Sequence, residues 1–130
     1  MSHRTNRIRQ WLVMGMVVAT IASRADESFK INGNPAKGEG TFKMYCVACH
    51  GETGKGDGMA ASALNPKPKN LADAEAMAKI SDHEIFVVIR DGGPAAGLSP
   101  MMSGWKMILG DDQNVHDVAA YVRTLAKAKE

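Results

Sequence analysis

Cys46, Val47, Ala48, Cys49 and His50 are the residues with distinctive chemistry to offer. Two cysteines three positions apart, followed at once by histidine, form the attachment pattern for c-type haem. Each thiol can add across one vinyl group of the porphyrin, giving two thioether bonds. A helical pitch of about 3.6 residues per turn sets Cys46 and Cys49 on one side of the chain. His50 then presents an imidazole nitrogen to the iron that the cysteines have tethered. The chain has 2 cysteines, so the motif takes both. A thioredoxin-like disulfide expects a βαβ context, and none is apparent. A zinc site needs a second pair of Cys or His ligands, whereas His83 and His116 stand alone.

An iron held by one histidine has a sixth position to fill. A thioether sulfur is a soft, neutral ligand that favours the ferrous state and raises the reduction potential. The chain has 9 methionines. Met1, Met14 and Met16 lie in the N-terminal segment, and Met44 sits within the turns that carry the cysteines. Met59, Met77 and Met107 stay open as ligands. Met101 and Met102 are better placed, in the turn-rich stretch Ser99-Pro100-Met101-Met102-Ser103-Gly104-Trp105, where an apolar filler is less needed. His116, near the apolar stripe of the last helix, offers a bis-histidine alternative.

The elements that must position these groups follow from local signals. Arg4, Arg7 and Arg9 precede a nearly unbroken apolar run from Trp11 to Ala22, and Ser23-Arg24-Ala25 offers small residues. Residues 1–25 therefore read as a signal peptide cleaved after Ala25. The apolar run is shorter than the ~20 residues of a spanning helix, so an uncleaved anchor is the second reading. The formal charge is +2, but four arginines leave with the signal and no acid does, so 12 bases face 14 acids afterwards. No basic run remains outside the signal, and nothing points to nucleic acid.

Residues 26–33 read as a loose arm, and 34–130 as one small domain. Asn34 and Pro35 start a first helix, with Gly38, Phe42 and Cys46 on one face. The two glycines in it, Gly38 and Gly40, suggest close approach of another backbone. Residues 51–72 form a long loop carrying Lys55, Lys67 and Lys69, ordinarily solvated residues in a position to act as docking charges. A short helix is expected over 72–79. Ser81 and Glu84 form a capping box, with Ile80 and Ile85 as a hydrophobic staple, for a helix that turns Ile85, Val88 and Ile89 inward and stops at Gly92 in a left-handed cap. Arg90 on this helix has the reach and charge to pair with a haem propionate. The last helix runs over about 111–127, with a stripe of Val115, Val118, Ala119, Val122, Leu125 and Ala126. Few aromatics are available for a core, so a covalently held haem would supply apolar bulk that the chain lacks.

These residues resemble a bacterial periplasmic mono-haem class I cytochrome c over about residues 36–127. The resemblance rests on Gly38, Phe42 and the Cys46–Gly51 motif, on Gly54–Gly58, on Met102 three residues before Trp105, and on Val118, Tyr121 and Leu125. It implies an all-α class I cytochrome c fold of three to five helices wrapped around one haem c, with the first and last helices crossing and Gly38 and Phe42 meeting Tyr121. It implies attachment through Cys46 and Cys49 and axial ligation by His50 and Met102. Ser103 stands where the family usually has proline. A backbone carbonyl, that of Pro66, is expected to face the other His50 nitrogen. The implied role is one-electron transfer in the periplasm between redox proteins, a donor dehydrogenase or complex and an acceptor oxidase or reductase. No residue set for general acid–base catalysis is visible. The alternatives are a redox subunit of a larger dehydrogenase or oxidase complex, and a haem enzyme or gas sensor with a labile sixth ligand.

Overall fold

The structure is a computed structural model that describes residues 28–127. The expected signal peptide over residues 1–25, with cleavage after Ala25, lies outside the described residues. Among the described residues six α-helices are complete, in order α1 Pro35–Tyr45, α2 Val47–His50, α3 Ala74–Ala78, α4 Asp82–Asp91, α5 Lys106–Leu109 and α6 Asp112–Leu125, with single 3₁₀ turns at Ala61–Ala63 and Gly93–Ala96. Three are long; α2, α3 and α5 are about one turn each. Among the described residues there is no strand, only one isolated bridge between Gly92 and Ser103.

Local chemistry starts each long helix. The Asn34 side chain accepts from the Ala36 and Lys37 amides, with Pro35 in the first turn. Ser81 Oγ accepts from the Glu84 amide at 3.1 Å, which is half of the capping box. Asp111 Oδ1 accepts from the Asn114 amide at 2.9 Å. Such caps satisfy amides that the helix itself leaves unpaired and stabilise it by about 1 kcal/mol each. The single turn α5 escapes sequence reading because four residues carry no periodicity.

α1 and α6 cross, the most extensive helix pair among the described residues. Gly38 makes the crossing possible: a Cβ there would strike the Asp117 carbonyl and lie 2.9 Å from Val118 Cα. Phe42 is fully buried and its ring lies 5.2 Å from that of Tyr121. Gly38 thus meets Asp117 and Val118, while Phe42 meets Tyr121. Gly40 has open space around it, so close approach accounts for only one of the two glycines.

The core joins Phe42, Met77, Ile85, Phe86, Ile89, Val115, Val118, Ala119 and Val122. Phe86 joins the inward face of α4, and Val88 is only half-buried. Phe86 is covered by the N-terminal segment, which is tied down rather than loose, whereas Val88 lines a cavity. Phe29 lies 5.2 Å from the Phe86 ring and stacks on His116 at 5.6 Å. The Ile31 amide donates to Asp82 Oδ2 at 3.1 Å, Asn32 to His116 Nδ1 at 3.2 Å, and Asn34 to the buried Asp117 at 2.7 Å. At the end of α4, Gly92 takes φ 93° and ψ 168°, a positive-φ stop but not the left-handed cap.

Candidate functional site

The site is built on the join between α1 and α2. α1 ends at Tyr45, and the Cys46 amide donates to the Phe42 carbonyl at 2.8 Å. Cys46 then caps the short α2, so both cysteines and His50 ride on one compact turn. The two cysteines are not joined in a disulfide. The following loop folds back over the end of α2. Gly56 donates to the His50 carbonyl at 2.8 Å, Gly58 to Cys49 at 3.1 Å and Ala60 to Ala48 at 2.9 Å. Carbonyls without partners inside the helix are satisfied in this way.

The same loop orients the histidine. His50 Nδ1 lies 3.3 Å from the Lys69 carbonyl. A proton on Nδ1 donated to that carbonyl leaves Nε2 with a free lone pair, the form a metal ligand needs. The expected partner, Pro66, is corrected to Lys69. The Leu71 amide donates to the Gly54 carbonyl at 2.6 Å, which pulls the strand of loop after Pro68 against the turn. A contact across nineteen positions carries no local sequence signal. Burial holds the His50 pKa below its ordinary value, with the Lys69 hydrogen bond opposing. Burial pushes the Cys46 thiol up to about 11, with Cys49 adding to the rise.

Cys46, Cys49 and His50 open into a cavity of about 570 Å³. That lies within the ~300–1,000 Å³ usual for ligand and cofactor pockets. Its walls are mostly apolar: Phe42, Leu71, Met77, Ile85 and Ile89 face it, with Val118 and Val122 from α6. Lys67, Lys69, Asn70, Asp73, Glu84 and Ser99 supply its polar edge. Met101 and Met102 also line it.

The other methionines fall into two groups. Met59 and Met107 are 91% and 93% exposed and stand away from the cavity. Met77 is fully buried and serves as a wall. Met101 occupies the tip of a turn closed by the Met102 amide on the Ser99 carbonyl at 3.2 Å, and it is 57% exposed. Met102 is half-buried, with its carbonyl held by the Gly93 amide at 2.8 Å.

Two residues considered from sequence lie elsewhere. Arg90 pairs with Asp91 at 2.8 Å and Asp112 at 3.6 Å and covers the Phe86 ring at 5.3 Å, away from the cavity lining. His116 is packed between Phe29 and Phe86, so it does not line the cavity either. The pairing of Tyr45 with Trp105, ring centroids 5.5 Å apart, escapes sequence reading because it joins α1 to a distant loop.

The donor set fits a covalently held haem: two thiols and an imidazole with one nitrogen fixed, at the edge of an apolar cavity that methionines also line. Among the described residues no cluster of three or more His, Cys, Asp or Glu is arranged to hold a metal ion, which leaves the zinc alternative without a ligand set. Fold and cavity together define a small all-α haem-binding domain. The chain belongs to the cytochrome c family, whose model matches residues 35–126. The family binds haem c covalently and transfers electrons with it. In fold the chain is similar to a chain of the reducing HAO-like protein complex of Kuenenia stuttgartiensis, with TM-score 0.57 and 21% identity over 79% of this chain and 48% of that one. It thus spans about half the length of that neighbour. A comparison with curated proteins finds no match.

Proposed function

We propose that this protein is an exported one-electron carrier with a single haem c, attached through Cys46 and Cys49 and held between His50 and Met102. The observation that carries the proposal is convergence: groups from α2 and from the loop before α5 line one apolar cavity. The haem, when bound, supplies a metal that cycles between ferric and ferrous states. Cys46 and Cys49 keep it from dissociating. His50, oriented by the Lys69 carbonyl, offers Nε2 as a neutral donor. Met102 offers a thioether that favours the reduced form. With His50 and Met102 both engaged, no open site would remain for a substrate, and the chain would need no acid or base. Phe42, Ile85 and Ile89 exclude water, so the surroundings change little as the charge changes.

We further propose that residues 1–25 direct export to the periplasm and are removed, leaving a domain over 34–130. Electron exchange then takes place with docked donor and acceptor proteins in small, short-lived encounters. Service as the redox subunit of a larger assembly is the second reading, favoured by a structural neighbour that belongs to a protein complex.

Mass spectrometry of the exported protein tests the first reading. The expected result is a chain starting after Ala25 and carrying the mass of one haem through denaturation. A colourless chain with both thiols free to alkylate defeats it. Copurification with a stoichiometric partner would select the second reading.

A further inference from the structure

Met102 is delivered to the cavity by the backbone on both sides of it. Residues 102–105 lie main chain to main chain against the end of α4 and the turn after it. The Gly93 amide donates to the Met102 carbonyl at 2.8 Å, and the Trp105 amide donates to the Ile89 carbonyl at 2.9 Å. Between these bonds Ser103 pairs with Gly92 in the antiparallel bridge. Ile89 is in the last turn of α4, where carbonyls have no partner inside the helix, so Trp105 satisfies one of them.

The contact leaves no room for a side chain at Gly104. A Cβ there would lie 2.6 Å from the Asp91 carbonyl carbon and 2.9 Å from the Arg90 oxygen. Both are backbone atoms and cannot swing aside. Gly104 is also not among the positive-φ glycines. Its backbone conformation is open to any residue, and glycine is needed there for space alone.

We infer that Gly104 is the positioning residue for the sixth ligand. Its missing side chain lets residues 102–105 seat on α4, and that seating sets how far the Met102 sulfur extends into the cavity. This rests on the reading of Met102 as the axial ligand. An added methyl lifts the segment, because a well-packed contact relieves crowding only by moving backbone. The sulfur then retreats while the histidine side is untouched.

The test uses the full chain carrying its haem, as wild type, Gly104→Ala, Met102→Ala and Gly40→Ala. The readouts are the weak far-red band of the ferric protein, which reports sulfur on iron, and the affinity for added imidazole. Gly104→Ala should weaken the band and raise imidazole affinity about tenfold, since apparent affinity scales with the fraction of open sites. Gly40→Ala, in open space, should change neither. Retention of the band by Met102→Ala would sink the ligand assignment and this proposal with it. Loss in Met102→Ala with wild-type behaviour in Gly104→Ala overturns the positioning role alone. If Gly104→Ala does not fold, hydrogen exchange on the wild type decides. With imidazole on the metal, the Gly93 and Trp105 amides should stay protected, because α4 holds the segment. Loss of their protection would mean that the metal–sulfur bond holds it, and the proposal falls.

Discussion

Met101 and Met102 are neighbours with different surroundings, and the difference predicts different consequences of losing them. Met101 is at a turn tip with its amide on Ser99 Oγ at 3.2 Å, and most of its side chain is in solvent. Met102 is half-buried and is fixed at both its amide and its carbonyl. Met102→Ala should abolish the far-red band, let carbon monoxide bind the ferrous protein readily, and lower the reduction potential by a part of the ~0.8 V range that axial ligands span. Met101→Ala should leave all three as they are. Optical titration under carbon monoxide and a potentiometric titration check this, and the reverse pattern would reassign the ligand. The site was legible in part at this scale. Spacing alone marked Cys46, Cys49 and His50, because thioether attachment fixes the interval between the groups. It did not find the Lys69 carbonyl on His50, which depends on how a loop closes.

Gly38 and Gly40 look alike in sequence, yet the helix pair treats them differently. Gly38 has the backbone of α6 against it, and Gly40 has nothing within 4 Å. Gly38→Ala should lose ~1–3 kcal/mol through overpacking, more than the helix-propensity gain returns. Gly40→Ala should gain up to about 1 kcal/mol. Urea denaturation of the two variants separates the effects. The long helices were legible because Asn34, Ser81 and Asp111 cap them through contacts two or three residues away. Burial of Phe86 was not, because Phe29 and His116 reach it from far along the chain. The same distant ties predict a pH effect. Arg123 of α6 donates to Asp82 at 2.8 Å and to the Met77 and Ile80 carbonyls at 2.8 and 2.7 Å. Burial alone would raise the Asp82 pKa, but the Ile31 amide and Arg123 outweigh it and hold the carboxyl below its ordinary value. A depressed carboxyl stabilises the fold above its unfolded value near pH ~4 and loses that contribution as pH falls through the folded value. Asp82→Asn should therefore cost about 1–2 kcal/mol at neutral pH. The gap from wild type should close as the pH drops below ~4. Urea midpoints across the acid range check it, and a gap that persists unchanged in acid would remove the carboxylate from the explanation.

The molecule as a whole is organised around space that its own side chains do not fill. A cavity of about 570 Å³ opens beside the core, and Phe42, Met77, Ile85, Ile89, Val118 and Val122 of that core also line it. Apolar walls of that extent left facing solvent forfeit burial that the fold would otherwise gain. Domains are stable by only ~5–15 kcal/mol, so the group that fills the cavity is as much core as cofactor. The two roles of the cysteines follow from this. On the proposed reading they would hold the haem for electron transfer, and with it an apolar mass for the cavity walls on α3 and α4 to pack against. A Cys46→Ala, Cys49→Ala variant recovered without haem should have less helical circular dichroism than the native protein and no cooperative urea transition. The loss should be concentrated in α3, α4 and the loop to Trp105, whose walls face the cavity. α1 and α6 should keep residual contact, since Gly38 meets Asp117 and Val118 without help from the haem. Hydrogen exchange would resolve the two regions, with faster exchange over 74–105 than over 35–45 and 112–125. Equal protection in haem-free and haem-bound chains would show that the polypeptide closes the cavity unaided, and the haem would then be a passenger in a fold complete without it.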